Sequence, residues 1–527
     1  MPHGSGLMPM GSERMNGFHS PTSPHVVVIG GGFAGLSAAA LLARRGARVT
    51  LLEKNDQVGG RARVWEQDGF RFDMGPSWYW MPDVFERFFG LFGMGVEEAY
   101  SLERLDPSYR IVFGPGDVLD LPAGVGPLVE LFERMEAGAG TRLRDFLSDA
   151  QYKYEQGMGE FVHKPSLSLT EFLDPRLAWA LVRLQMLQSF RKHVNRHFTH
   201  PRLRQAVEFP VLFLGATAPK TPALYSMMNH ADMAGGTWYP SGGMGAVVDG
   251  LRRLAEAEGV MIRAGVEVER IEVEGRQTPG VIVDGQLLEA DVVLANADYH
   301  HVETRMLPAE ARQYSDAWWD RRTLSPSCLL FYLGVAGRVE GLEHHTLFFD
   351  EPLDEHADAI YENPRWPERP LFYVSTPSKT DPTVAPDGHE NLCVLVPLAP
   401  DLEDSEETRE RYFDIVMERL EAHVAHPVRE RIVLKRSYAH SDFREDYHAM
   451  GGNAYGLANT LDQTAILRPR LRSKRVKNLY YTGQLTVPGP GVPPALISGE
   501  VAARQILRDL GVTTPWLRTC RGDVSPR

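Results

Sequence analysis

His25-Val26-Val27-Val28-Ile29, then Gly30-Gly31-Gly32-Phe33-Ala34-Gly35, then the alanine-rich run from Leu36 to Arg45, is the stretch that decides how this chain folds. The opening run is continuously apolar and rich in β-branched residues, as in a strand buried on both faces of a parallel sheet. The alanine-rich run predicts a helix packed on that sheet. A second strand, Arg48-Val49-Thr50-Leu51-Leu52, ends at Glu53. A bare G-x-G-x-x-G is weak evidence, because glycine-rich turns are common. Here a strand precedes it, a helix follows, and an acidic residue closes the next strand 18 positions after Gly35. That spacing is near the ~20 residues of a dinucleotide-binding fingerprint.

Each residue of the loop has a physical task. Gly30 allows a tight turn, Gly32 lets the backbone approach a pyrophosphate, and Gly35 lets helix and strand pack closely. The helix start at Phe33 and Ala34 offers free N–H groups and a partial positive charge to phosphates. Glu53, followed by Lys54, is placed to accept hydrogen bonds from the adenosine ribose. Its carboxylate would repel a 2′-phosphate, which argues against NADP.

Outward from this core come Gly59-Gly60-Arg61 and Asp73-Met74-Gly75-Pro76-Ser77. The run from Val26 to Ser77 resembles the flavin-binding start of the amine oxidase and carotenoid desaturase superfamily. The resemblance implies FAD, with Gly60, Arg61, Gly75, Pro76 and Ser77 against the flavin end of the cofactor. An arginine there can neutralise diphosphate charge or an electron-rich reduced ring. Near the C-terminus, Asn478-Leu479-Tyr480-Tyr481 predicts a strand and Thr482-Gly483-Gln484 the turn after it. A Pro/Gly loop then reaches Val492, and Pro493-Pro494 opens a helix to Leu507, proline being well tolerated in a first helical turn. In the superfamily an acid often follows the glycine, to bind the ribityl chain; Gln484 departs from this and leaves a neutral hydrogen bond.

Mid-chain, Gly242-Gly243-Met244-Gly245 opens a helix to Ala257. Strands are expected at 260–262, 266–271 and 290–294, the last leading into Ala295-Asn296-Ala297-Asp298. The resemblance returns this block to the FAD domain and has Val268 hold the adenine with its backbone. It implies an α/β fold of glutathione-reductase/amine oxidase-like architecture. A discontinuous Rossmann-like FAD-binding domain carries an inserted substrate domain, with a mixed sheet and a helical, membrane-facing lobe. The expected division is a disordered leader at 1–24, FAD-domain segments at 25–110, 231–300 and 456–510, a helical substrate lobe at 111–230, a substrate-binding domain at 301–455 and a tail at 511–527.

On the substrate side the resemblance narrows to bacterial phytoene desaturases. Gly75-Pro76-Ser77-Trp78, Trp238-Tyr239-Pro240 before the second glycine run, Pro488-Gly489-Pro490-Gly491-Val492-Pro493, and the stretch from His344 to Leu395 carry it. It implies an FAD-dependent oxidoreductase acting on CH–CH bonds, which dehydrogenates phytoene stepwise toward lycopene or an intermediate. A long-chain polyene would be the substrate, and a quinone or oxygen the electron acceptor. An unactivated hydrocarbon has no carbonyl to acidify its C–H bonds, so the chemistry needs a hydride acceptor such as oxidised flavin. Glu171 is the one carboxylate singled out to take the proton, against the alternative of a solvated residue at a helix start. A desaturase or isomerase acting on a later-pathway or hydroxylated polyene, an amine oxidase, and a flavin-free prenyl-chain carrier of the same fold are the other readings.

Aromatic residues crowd the segment after the flavin loop: Trp78, Tyr79, Trp80, Phe85, Phe88, Phe89 and Phe92. They read either as core or as a wall for an apolar substrate. The segment 176–198 mixes apolar residues with Arg183, Arg191, Lys192 and Arg196. It fits a helix resting in a membrane interface or an ordinary amphipathic surface helix.

Bulk properties agree. With 527 residues the chain has room for two or three lobes, and Lys+Arg of 56 against Asp+Glu of 69 leaves a charge of −13. An acidic chain has little attraction for phosphate backbones, so no nucleic-acid partner is expected. Cys328, Cys393 and Cys520 are far apart, with neither disulfide nor metal spacing, which fits a reducing cytoplasm. The adjacent pairs His300-His301 and His344-His345 lack metal-ligand spacing, and no metal is expected. No stretch of roughly 18 apolar residues occurs. The expected location is therefore the cytoplasm, peripherally at the cell membrane.

Overall fold

The computed structural model describes residues 23–168, 188–214 and 217–512. Strand β1 (His25–Ile29) leads through the glycine loop into helix α1 (Phe33–Arg44) and back to β2 (Arg48–Leu52). Helix α2 (Met244–Ala257) and strands β3 (Met261–Arg263) and β4 (Val292–Ala295) come from mid-chain. Strand β5 (Leu479–Tyr481) and helix α3 (Val492–Asp509) come from the C-terminal part. The five strands form one parallel sheet in the order β5-β4-β1-β2-β3. Three distant stretches of sequence thus make a single sheet.

Helix α1 is buried continuously from Phe33 to Leu42, between the sheet and helices α2 and α3. Its alanines permit that enclosure. A Cβ on Gly499 of α3 would lie 2.2 Å from the carbonyl oxygen of Ala34 and 2.0 Å from Ser37 Oγ, so glycine sets the closest approach of the two helices. Ser37 Oγ then donates to Ala34 O or Leu496 O, each 3.1 Å away.

The second large sheet has seven strands. In order they are Ile432–Tyr438, Ser327–Ala336, His389–Leu398, Phe372–Ser375, His345–Phe348, Tyr109–Gly114 and Asp117–Leu121. The sheet is mixed: the strands at 345 and 109 run parallel and the other pairs antiparallel. One face packs on helix Glu406–Val424 through Val416, Met417 and Leu420. A small antiparallel sheet, Arg270–Glu274, Gln277–Val283 and Gln286–Glu289, lies beside the parallel one.

Two local expectations change. Residues 111–121 open no helical lobe: Gly114 and Gly116, both at positive φ, turn the chain into a hairpin that extends the seven-stranded sheet. The strand expected over 266–271 begins only at Arg270, because Val266 N–H is spent on Glu53 O (2.8 Å). The leader to residue 22, Glu171 and the basic-apolar segment through 187 lie outside the described residues, as do the tail beyond 512 and Cys520. Of that segment, Phe190–His197 is helical and buries Phe190, His193 and Val194.

Candidate active site

The glycine loop crosses the C-terminal edge of the parallel sheet, where open α/β sheets bind ligands. Its three fingerprint glycines meet different surroundings. Gly30 sits at φ +98°. A Cβ on Gly35 would lie 2.1 Å from Gly30 O, so that position has no room for a side chain. A Cβ on Gly32 would meet nothing closer than Asn296 Nδ2 at 3.4 Å. Neither packing nor positive φ demands glycine at position 32, and the space it leaves opens into a large cavity. Helix α1 begins there with no side-chain cap and no acid in its first turn, so its first N–H groups stay available to an anion.

Glu53 is buried at the end of β2. Its carboxylate accepts from Gly31 N–H (2.7 Å), Asn55 N–H (2.9 Å) and Asn55 Nδ2 (3.0 Å). Lys54 donates to Glu445 O. Val268 lines the same end of the cavity, and its backbone has no hydrogen-bond partner among the described residues. His448 bridges to Glu267 (2.8 Å) and stacks on His301 with centroids 3.9 Å apart.

Arg61 is the central cation. It lies over the Tyr447 ring (5.0 Å) and donates to Asn453 O (3.2 Å), while its buried Nε has no partner among the described residues. Gln484 faces it with its amide oxygen, 3.0 and 3.1 Å from the two terminal nitrogens, and donates to Tyr455 O (3.2 Å). Burial lowers the pKa of Arg61, and the nearby Asp298 partly restores it. Gly75 packs against Arg61 O, where a Cβ would come within 2.4 Å. Gly483, at φ +102°, donates to Ser498 Oγ (3.0 Å) and turns the chain toward Gln484. Ser77 is 2.9 Å from the Tyr373 hydroxyl.

Most of these border one cavity of about 760 Å³. Gly30, Gly32, Phe33, Ala34, Glu53, Lys54, Gly60, Arg61, Gly75, Pro76, Ser77, Val268, Gly483, Gln484 and Val492 line it, whereas Gly35 stands behind the loop. Beyond the glycine loops the cavity continues into an apolar chamber walled by Trp78, Met158, Phe209, Leu347 and Phe349. The lining carboxylates among the described residues are Glu53, Glu267, Asp298 and Asp446, all at the polar end. The aromatic cluster after the flavin loop divides accordingly: Trp78 and Trp80 face the cavity, and Tyr79, Phe85, Phe88 and Phe89 are core. No group of His, Cys, Asp or Glu among the described residues could hold a metal ion.

Sequence reading left several wall residues without a role. Asn296 Nδ2 donates to Gly30 O (3.0 Å) and ties β4 to the glycine loop. His356 lines the chamber with Nδ1 accepting from Leu371 N–H (2.7 Å) and Nε2 2.8 Å from Pro397 O. Tyr373 and Tyr447 are a third kind, isolated aromatic residues with no local pattern. Only Asn296 had a signal, its place just after a buried strand.

A dinucleotide loop with an open glycine, a buried cation with an unmet donor and an adjoining apolar chamber together define a flavin-type oxidoreductase. A family model described as flavin-containing amine oxidoreductase matches residues 33–507. The chain is 48% identical over 489 residues to a carotenoid 3,4-desaturase of Haloarcula japonica, covering 92% of this chain and 98% of that one. It is 32% identical to a zeta-carotene-forming phytoene desaturase of Myxococcus xanthus, covering 95% and 96%. Among solved structures, putrescine oxidase shares the fold at a TM-score of 0.59 and 16% identity, over 92% of this chain and 99% of the other. The chain belongs to the flavin-containing amine oxidoreductases and, within them, to the carotenoid desaturase family. Its cofactor is FAD.

Proposed function

We propose that this protein is an FAD-dependent carotenoid desaturase that dehydrogenates phytoene stepwise toward lycopene or an intermediate. The observation that carries this reading is the continuity of the cavity, from the dinucleotide loop into a chamber with apolar walls and, among the described residues, no carboxylate. An amine substrate would need a polar anchor there; a hydrocarbon needs none. FAD, when bound, supplies the two-electron sink that takes a hydride from the substrate. The protein's own part is to bind, orient and exclude water.

In this reading Gly32 and the α1 N-terminus, at Phe33 and Ala34, hold the pyrophosphate and Glu53 the ribose. Val268 contacts the adenine. Gly60, Arg61, Gly75, Pro76, Ser77, Gly483, Gln484 and Val492 surround the flavin end. The FAD domain then comprises 25–110, 231–300 and 456–510, with substrate elements between. The open Gly32 and the unmet Arg61 Nε disfavour a flavin-free carrier. No helix among the described residues is long and apolar enough to cross a membrane. Peripheral association on the cytoplasmic side, where a polyene dissolves, and a quinone or oxygen as acceptor complete the proposal.

A second reading has the same chemistry on a later, already conjugated polyene, and rests on the 48% identity to a carotenoid 3,4-desaturase. The deciding experiment incubates purified protein with FAD, liposomes, phytoene and a quinone at low oxygen, following visible absorbance. FAD-dependent growth of structured carotenoid bands is expected, and their positions count the new double bonds. Unchanged phytoene beside a bound, reducible flavin would exclude it as substrate and favour the second reading.

A further inference from the structure

The chamber contains no carboxylate among the described residues, yet desaturation releases a proton as well as a hydride. A chain of polar groups leads out of it. Ser77 lines the cavity where the segment beside Arg61 meets the seven-stranded sheet, and its Oγ lies 2.9 Å from the Tyr373 hydroxyl. Tyr373 stands on the sheet between Leu347 and Leu395, both lining residues. Its hydroxyl is 2.6 Å from Nδ1 of His345, a fully buried residue on the neighbouring strand. His345 Nε2 has no hydrogen-bond partner among the described residues, and the imidazole lies flat on the indole of Trp78, with centroids 4.1 Å apart and planes at 12°. The imidazole thus stands directly behind two cavity-lining residues, Trp78 and Tyr373, with its Nδ1 held at the Tyr373 hydroxyl.

We propose that Ser77, Tyr373 and His345 form a relay that accepts the proton lost from the polyene. The proposal rests on the desaturase reading above. One C–H bond of the substrate breaks with its electron pair leaving toward bound FAD, so the polyene is oxidised and the cofactor reduced by two electrons. The adjacent C–H bond then gives its electron pair to the new C=C bond and its proton to Ser77 Oγ. The Ser77 proton passes to the Tyr373 oxygen, and the Tyr373 proton to His345 Nδ1. It returns along the same chain when the acceptor, a quinone or dioxygen, withdraws the electrons and takes up protons with them.

An allylic cation is so strong an acid that a weak, neutral base suffices. Burial keeps His345 neutral in the resting protein, with His344 the nearest titratable neighbour on its strand and Tyr373 on the next. Asp381 acts on His344, and burial and then His344 are what lower His345. The Trp78 face becomes an attractive partner once the imidazole is protonated.

Tyr373→Phe removes one oxygen from the middle of the relay. The test follows flavin bleaching by polyene without oxygen, in water and in deuterium oxide, beside FAD content and polyene binding to flavin-free protein, read from the polyene's absorption shift. Bleaching is expected to slow about a hundredfold or more, the lower side of general-base contributions. FAD content and polyene binding stay unchanged, and the slowing by deuterium oxide seen in the wild type disappears. Ser77→Ala should slow bleaching alike when the rate is taken per bound FAD, since Ser77 also borders the flavin end, and Ser77→Thr should recover the rate. Equal rates and isotope responses in Tyr373→Phe and wild type would overturn the relay and leave the desaturase reading standing. A slow Tyr373→Phe variant that also loses FAD or polyene binding would overturn it in favour of a structural role. A wild-type flavin that no polyene bleaches would overturn both.

Discussion

Gly32 and Gly35 stand three positions apart in one loop, and a methyl group added to each meets different things. At Gly35 it would press on Gly30 O at 2.1 Å and Asn296 Nδ2 at 2.7 Å. At Gly32 it would touch only Asn296 Nδ2 at 3.4 Å, and otherwise enter the space assigned to the pyrophosphate. Gly35→Ala should therefore cost about 1–3 kcal/mol of fold stability, the usual range for overpacking. Gly32→Ala should leave the melting of flavin-free protein unchanged and weaken FAD by tenfold or more, roughly 1.4 kcal/mol. Calorimetric titration of FAD beside a melt of each flavin-free variant checks both; a Gly32→Ala protein that melts early and binds normally would reverse the assignment. At this scale the sequence was informative where a motif fixes spacing. Gly30, Gly32, Glu53 and Arg61 line the cavity, with Gly35 behind the loop. Tyr373, Tyr447 and His356 were illegible, because each is brought there by the register of a distant strand or helix and carries no local mark.

Among the elements, helix α3 is held by more than its apolar face. Glu500 is fully buried and accepts from Arg87 of helix Pro82–Gly90 (Nη1, 3.1 Å) and from Arg504 one turn on. These guanidinium groups hold its pKa below the usual carboxylate range despite burial. A lowered folded pKa means that the contribution is complete above the unfolded value of about 4.5 and is lost as pH falls through the folded one. Glu500→Gln leaves two guanidinium groups against a neutral amide. Arg87 is partly exposed, so the loss at pH 7 should fall near about 3 kcal/mol, the low side for a broken buried pair. Denaturant unfolding at pH 7 measures it, and a loss under half that size would mean that water compensates the arginines. The course of α3 was readable from Pro493-Pro494 and the apolar run behind them, but this fastening was not, since nothing near Glu500 in sequence announces Arg87. The misread strand at 266–271 has a similar cause. Val266 and Val268 are spaced two apart as in a strand, yet both are loop residues reaching the core beside the small sheet.

For the molecule as a whole, the two large sheets draw strands from distant stretches, and periodicity cannot say which strand lies beside which. The resemblance grouped the three segments of the parallel sheet but not their order; the hairpin at 109–121, joined to a strand more than 200 residues later, had no such guide. The same burial that closes these sheets sets the response to acid. His163, His301 and His356 are pushed down to about 4 and His344 to about 3, chiefly by desolvation. Between pH 6.5 and 4 the unfolded chain takes up protons on these histidines and the folded one does not, so stability falls as pH falls. Asp73 and Asp232 oppose this. Burial raises them to about 6 and about 7, so in the same interval the folded protein takes up their protons and gains stability on acidification. The lowered histidines, to which His193 and His345 add, outnumber the opposing aspartates and predict a net loss of stability from pH 6.5 to 4. The aspartates' opposition is complete once both are protonated in the folded protein and ends only where the unfolded chain protonates its own, at about pH 4. His356→Gln can keep an acceptor for Leu371 N–H and a donor for Pro397 O, and should flatten the slope. Asp232→Asn removes a group that opposes the loss and should steepen it. Denaturant unfolding of flavin-free protein at pH 7, 6 and 5 decides the matter. Slopes that move in opposite directions in the two variants would tie acid sensitivity to these buried groups, and identical slopes in both would refute that origin.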